Sequence, residues 1–311
     1  MSRKLIILVA MTAVAALALT GCSLGRAAPS GHLVFEREAD GNTDVYAMDV
    51  KTGEMTRLTD DPGWDGTPAW SPDGTQIVFA SQRDGSGTPV VYIMNADGSD
   101  QRPLTETTYS SYMPAWSPDG ARIAFASTKG YEVQQQGGRQ EVNAGFELWV
   151  MDADGSNLTR VTGDTDTQSL YPSWSPDSGR LAYMQVGDNQ VRILTQAPDP
   201  DSPASILTGG LTGRHWTPAW SPAGDQIAIM AEIDGVNDIW LVSPEGGDAT
   251  NLTNQASGDG EPAWSPDGNY LAFVSDRDGV RSLYLLDLKK HTVTRLTEDG
   301  ANYARPNWTG S

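Results

Sequence analysis

One cysteine in 311 residues, Cys22, excludes an internal disulfide and any cysteine-built metal cluster. Histidine is nearly as scarce, with only His32, His215 and His291. There is no HExxH pair and no Cys/His cluster, so the sequence marks of a zincin or a zinc site are missing. No metal and no cofactor is expected. Positive charge is short too: 21 Lys and Arg stand against 40 Asp and Glu, a formal charge of −19. That balance argues against nucleic acid and against electrostatic attraction to anionic lipid headgroups. The one long apolar run, residues 5–19, is short for a membrane-spanning helix.

That run has a different reading. Arg3 and Lys4 precede it and Leu19-Thr20-Gly21-Cys22 follows it, a pattern resembling the bacterial lipobox. Residues 1–21 are expected to be a signal peptide and Cys22 the site of lipidation, with residues 22–30 as spacer. The mature chain would be an exported lipoprotein, anchored to a membrane and facing the periplasm or the cell surface. Losing Arg3 and Lys4 would take the formal charge from −19 to −21.

What the chain has in abundance is one phrase. Pro-x-Trp-Ser-Pro-Asp-Gly followed by an apolar stretch begins at Pro68, Pro114 and Pro262, and recurs with small changes at Pro172 and Pro218; a clipped copy begins at Pro306. The marker tryptophans, Trp70, Trp116, Trp174, Trp220, Trp264 and Trp308, are spaced by 46, 58, 46, 44 and 44 residues. A period in the forties built of short strands and turns is that of a β-propeller with one repeat per blade. Within a repeat, Pro68 to Ser71 reads as a short first strand and Ser-Pro-Asp-Gly as a tight turn. Ile77 to Ser81 reads as a fully buried second strand, with two more to follow.

The segment from Leu33 lacks a Pro-x-Trp strand ahead of it, and Pro306-Asn307-Trp308 has nothing after it. Together they make one blade. The expected fold is all-β: residues 31–311 form a six-bladed propeller closed by the last strand, and with its sheet edges removed it is expected to be a monomer. The 58-residue step carries a Gln- and Gly-rich insertion at 128–145. Asp152-Ala153-Asp154-Gly155 opens like a calcium loop but lacks the later bidentate glutamate, so it reads as a hairpin turn.

Residues that repeat are expected to be structural, the tryptophans as plates between blades and the aspartates as turn formers. Candidate contacts are the ones that do not repeat, in the connections just ahead of each Pro-x-Trp. These carry Trp64 and Asp65, Tyr109 and Tyr112, Tyr171, His215 and Trp216, Asp259 and Glu261, and Tyr303 and Arg305. Aromatics with a few charges at a channel mouth suit a protein, peptide or glycan ligand.

The cassette, with Leu-Thr closing most repeats, resembles the WD40-like repeats of the TolB propeller family over residues 31–311. In that family the propeller follows an α/β domain and serves the Tol–Pal envelope system, its channel mouth receiving protein partners. This sequence resembles a lipoprotein form without that domain. The resemblance implies a non-catalytic binding protein. Similar propellers belong to prolyl-oligopeptidase-like peptidases and oligogalacturonate lyases, so a carbohydrate lyase or hydrolase using His215 with Asp259, Glu261 or Arg305 is the alternative. A scaffold binding through its blade sides is a third reading.

Overall fold

The computed structural model describes residues 28–129, 135–136, 139–140, 145–163 and 166–310. Cys22, the expected signal peptide, all but the end of the spacer and most of the 128–145 insertion lie outside them.

Six four-stranded antiparallel sheets carry the fold. In the second blade, Asp65–Trp70 is innermost, followed outward by Gln76–Ser81, Val90–Asn95 and the short Arg102–Pro103. Innermost strands of the next four blades are Ser111–Trp116, Gln168–Trp174, Arg214–Trp220 and Asp259–Trp264. The first blade is built from both ends of the chain. Asn302–Thr309 pairs with His32–Ala39, placing Leu33 opposite Trp308 and Val34 opposite Asn307, and Asn42–Asp49 and Met55–Arg57 lie outside them. Each innermost strand touches that of the next blade, and the sixth touches the first, so the ring closes as the repeats predict. Among the described residues there is no helix, and so none long and apolar enough to cross a membrane.

The core is divided among the seams. Six apolar clusters each join two successive blades, such as Val34, Trp70, Ile77 and Phe79 between blades one and two. Second strands supply most of this because they are covered on both faces. Phe35, Phe79, Phe125, Tyr183, Ile229 and Phe273 occupy matching positions, and none is more than 2% exposed. Apolar runs rather than alternation are what such two-sided burial requires.

The Ser-Pro-Asp-Gly turn is held by its serine. Ser71 Oγ donates to Asp73 Oδ1 at 2.6 Å and accepts from the Gln76 N–H at 2.9 Å, while the Gly74 N–H closes on the Ser71 carbonyl. Blade five puts Ala223 where the aspartate belongs, and Asp225 reaches Ser221 instead, at 2.9 Å. The stretch at Asp152 is a hairpin turn closed by the Gly155 N–H on the Asp152 carbonyl, as expected.

Candidate functional site

A propeller blade turns the edge of its innermost strand toward the axis, so side chains on that strand point at neighbouring blades and not into the channel. A bulge in each blade breaks that rule. Innermost strands begin three or four residues earlier than the sequence suggests, and their pairing slips at the residue before the proline. There the backbone is left-handed at six non-glycine residues: Thr67 at φ 48°, Met113 at 54°, Tyr171 at 55°, Thr217 at 45°, Glu261 at 54° and Arg305 at 53°. This conformation is unusual for a side-chain-bearing residue, above all for a β-branched threonine, and a following proline ordinarily favours extended backbone. All six line the central channel and form its neck.

From the neck toward the Ser-Pro-Asp-Gly turns the channel is a chamber of about 600 Å³. Its wall includes the cassette tryptophans and the turn prolines Pro72, Pro118, Pro176, Pro222 and Pro266. The tryptophans do pack in the blade seams, as expected, but they also face this space. Identity between copies hid that second role. On the opposite side, where the blade connections lie, a polar pocket of about 370 Å³ is bounded by Glu36, Trp64, Glu261, Arg281 and Arg305 among others.

Neck residues of successive blades are tied together. Thr67 Oγ1 accepts the Met113 N–H at 3.3 Å, and Glu261 Oε2 accepts the Arg305 N–H at 2.7 Å. Arg305 offers no acceptor to the next blade, and Glu36 supplies one in its place: its Oε1 takes the Thr67 N–H at 2.7 Å and pairs with Arg305 Nε at 3.0 Å. Burial pushes the Glu36 carboxyl above the usual carboxylate range, against the pull of Arg305. Glu261 Oε1 is bound by Arg281 at 2.9 Å. Across the channel, from blade one to blade four, the Arg305 guanidinium lies 5.1 Å from the Tyr171 ring centroid.

The candidate residues separate under this geometry. Tyr171, Glu261 and Arg305 meet at the neck. Trp64 and Tyr112 stand edge to face at 6.0 Å, and Phe146 extends the row at 5.4 Å from Tyr112. Tyr109 lies in the connection ahead of blade three under Lys129 Nζ, at 4.9 Å. Trp216 packs against the seam of blades four and five. Four candidates are buried in the blades. Asp65 and Asp259 are fully buried, and each takes a hydrogen bond on both oxygens from one arginine, Arg83 or Arg277, at about 3.0 Å. Tyr303 packs on Phe35 and bonds Asp299 at 2.8 Å. His215 is 1% exposed, its Nε2 sits 3.2 Å from the Thr212 carbonyl, and burial holds its pKa below the ordinary histidine value. Among the described residues, no group of three or more His, Cys, Asp and Glu could hold a metal ion.

Three neck residues, Thr67, Met113 and Thr217, were not singled out by sequence. The signal was available: each directly precedes a cassette proline, as Tyr171, Glu261 and Arg305 do.

The family model described as "TolB beta propeller domain" matches residues 25–137 and 131–311. The chain belongs to the TolB β-propeller family. Among curated relatives, the Tol-Pal system protein TolB of Gluconobacter oxydans is 28% identical over 107 residues, 34% of this chain and 23% of that protein. An uncharacterised protein of Agrobacterium fabrum is 33% identical over 197 residues, 60% of this chain and 46% of that protein. The chain thus spans less than half the length of these relatives. Among solved structures, TolB from Acinetobacter baumannii superposes with a TM-score of 0.71 at 17% identity, covering 89% of this chain and 66% of that one. A putative TolB from Agrobacterium tumefaciens gives 0.69 at 20% identity, covering 90% and 99%. At these identities the superpositions show the family fold.

Proposed function

We propose that this protein is an exported, lipid-anchored envelope propeller that captures a protein or peptide partner in its central channel without chemical turnover. One observation carries the reading. Every blade uses the same strained bulge to turn one side chain into the channel, yet the six residues are Thr, Met, Tyr, Thr, Glu and Arg. A feature needed only for packing would repeat as the tryptophans do. Strain kept at matching positions and filled with differing chemistry suits recognition. Similarity to a protein named for the Tol-Pal system supports an envelope setting, and the Leu-Thr-Gly-Cys22 sequence supports the anchor. A carbohydrate-active enzyme built on His215 finds no support in the geometry, because that ring is sealed inside a blade.

The test is capture from an envelope extract by the immobilised protein, with and without Met113→Ala plus Tyr171→Ala. The expected result is at least a tenfold loss of the captured partner with little change in Tm. Undiminished capture by the double variant would overturn the neck as the contact. For the anchor, Cys22→Ala should move the protein from the membrane to the soluble fraction.

A further inference from the structure

Arg305 is placed unlike the other channel-side arginines. Arg83 and Arg277 each turn a terminal nitrogen onto both oxygens of a buried aspartate, and Arg281 is half exposed to water. Arg305 sits at the neck with its side chain 27% exposed and meets a carboxylate through Nε. Its remaining contact is Tyr171, whose ring it covers and whose hydroxyl it reaches. Among the described residues no second ion pair to this guanidinium is formed, so the Nη1–Nη2 edge has no carboxylate. That edge is the fork that matches a carboxylate through two parallel hydrogen bonds. The two acids beside it are already engaged, Glu36 by the Thr67 N–H and Arg305 Nε, Glu261 by the Arg305 N–H and Arg281.

The chamber below the neck narrows the choice of ligand. Arg305 reaching across to Tyr171 spans the neck, an arrangement that suits the end of a chain better than its middle. Its wall offers main-chain groups. Because the Ser71 N–H bonds the Gln76 carbonyl, the adjoining Trp70 N–H and C=O alternate away from the second strand and face the channel side; the matching serines of the next four blades repeat the bond. Asn307 Oδ1 takes the Trp70 N–H at 2.9 Å and Ser173 Oγ takes the Trp220 N–H at 3.1 Å. Ahead of Trp116, Trp174, Trp264 and Trp308 the capping position holds Ala69, Ala115, Ala219 and Ala263, whose side chains have no acceptor to give. Strand edges of this kind are met by another extended main chain.

We propose that the chamber receives the carboxy-terminal end of an extended polypeptide, whose free α-carboxylate is clamped by the Arg305 fork over Tyr171. The proposal rests on the channel-binding reading and adds the terminus as what is recognised. With a formal charge of −19, the protein favours a tail that is neutral or basic ahead of its terminus.

The test uses the full chain immobilised and two pools of random octapeptides, identical except that one ends in the free acid and the other in the amide. An oligogalacturonate mixture serves as a non-peptide carboxylate. The expected result is at least tenfold greater retention of the free-acid pool. Arg305→Gln should abolish that preference, and Arg305→Lys, which keeps the charge that pairs with Glu36 but not the fork, should weaken it severalfold. Thermal melts report whether each variant is folded, and the wild-type comparison of the two pools stands even if neither is. Equal retention of both pools overturns the terminal clamp while leaving channel capture intact. Retention of oligogalacturonate with neither peptide pool overturns the peptide ligand, and no retention together with no capture from envelope extract overturns both readings.

Discussion

Two ends of the same strand obey different rules. At the turn end, Ser71, Ser117, Ser175, Ser221 and Ser265 each bond an aspartate, and even the blade that lost its aspartate recruits Asp225 to replace it. Four residues away, at the neck, the backbone repeats with the same fidelity but the side chains do not. Uniformity at one end marks a device for holding the ring together. Variety at the other marks a surface that a partner reads. The contrast teaches that the backbone conformation, and not residue identity, is what aligns the six contact positions.

The comparison can be broken at several points. The largest effect is expected from truncation after residue 305, which removes Asn307 and Trp308 and unpairs Leu33 and Val34; it should abolish cooperative unfolding, as calorimetry would show. Next is Arg83→Met. It removes the cation paired with the fully buried Asp65, whose carboxyl burial already pushes upward, and should cost about 3–5 kcal/mol in denaturant titration. At the turn end, Ser117→Ala removes a buried hydroxyl that serves both Asp119 and the Arg122 N–H. It should cost about 1–3 kcal/mol and leave partner capture unchanged. A turn variant that lost capture without losing stability would break the division between the two ends.

Acid sharpens it further. Serine hydroxyls hold Asp73, Asp119 and Asp177 below the usual aspartate range, so these groups contribute stability above that range and lose it as pH falls through the lowered values. Asp119→Asn should therefore be less stable than wild type at pH 7, with the difference shrinking as pH falls through the lowered Asp119 value. Glu36 at the neck runs the other way. Its raised pKa makes its contribution present at low pH and lost as pH rises through that value.

The ring was legible because the repeat is a covalent ruler: six tryptophans at near-equal spacing leave little choice of architecture, and a lone Pro306-Asn307-Trp308 has a single vacancy to fill. The neck was only half legible. Asp65, His215, Asp259 and Tyr303 each stand two residues ahead of a neck residue, where plain strand alternation would give both the same face; the bulge that turns the neck residue into the channel leaves these four buried in the blades. Thr67 and Thr217 looked unremarkable because residues ahead of proline ordinarily stay extended, whereas both are left-handed here, against that local preference. Gly66 and Gly260 carry the trace of it: a Cβ at either would fall 2.3 Å from Trp64 or from Met230.

Closing the first blade with Asn302–Thr309 also sets an order in time. The opening hairpin, His32–Asp49, leaves the ribosome first, yet its neighbour is made some 250 residues later. At about 5–20 residues per second, that leaves it waiting for tens of seconds or less with one flank unzipped. A passing chaperone, or a second nascent copy offering the same strand, competes for it throughout that interval.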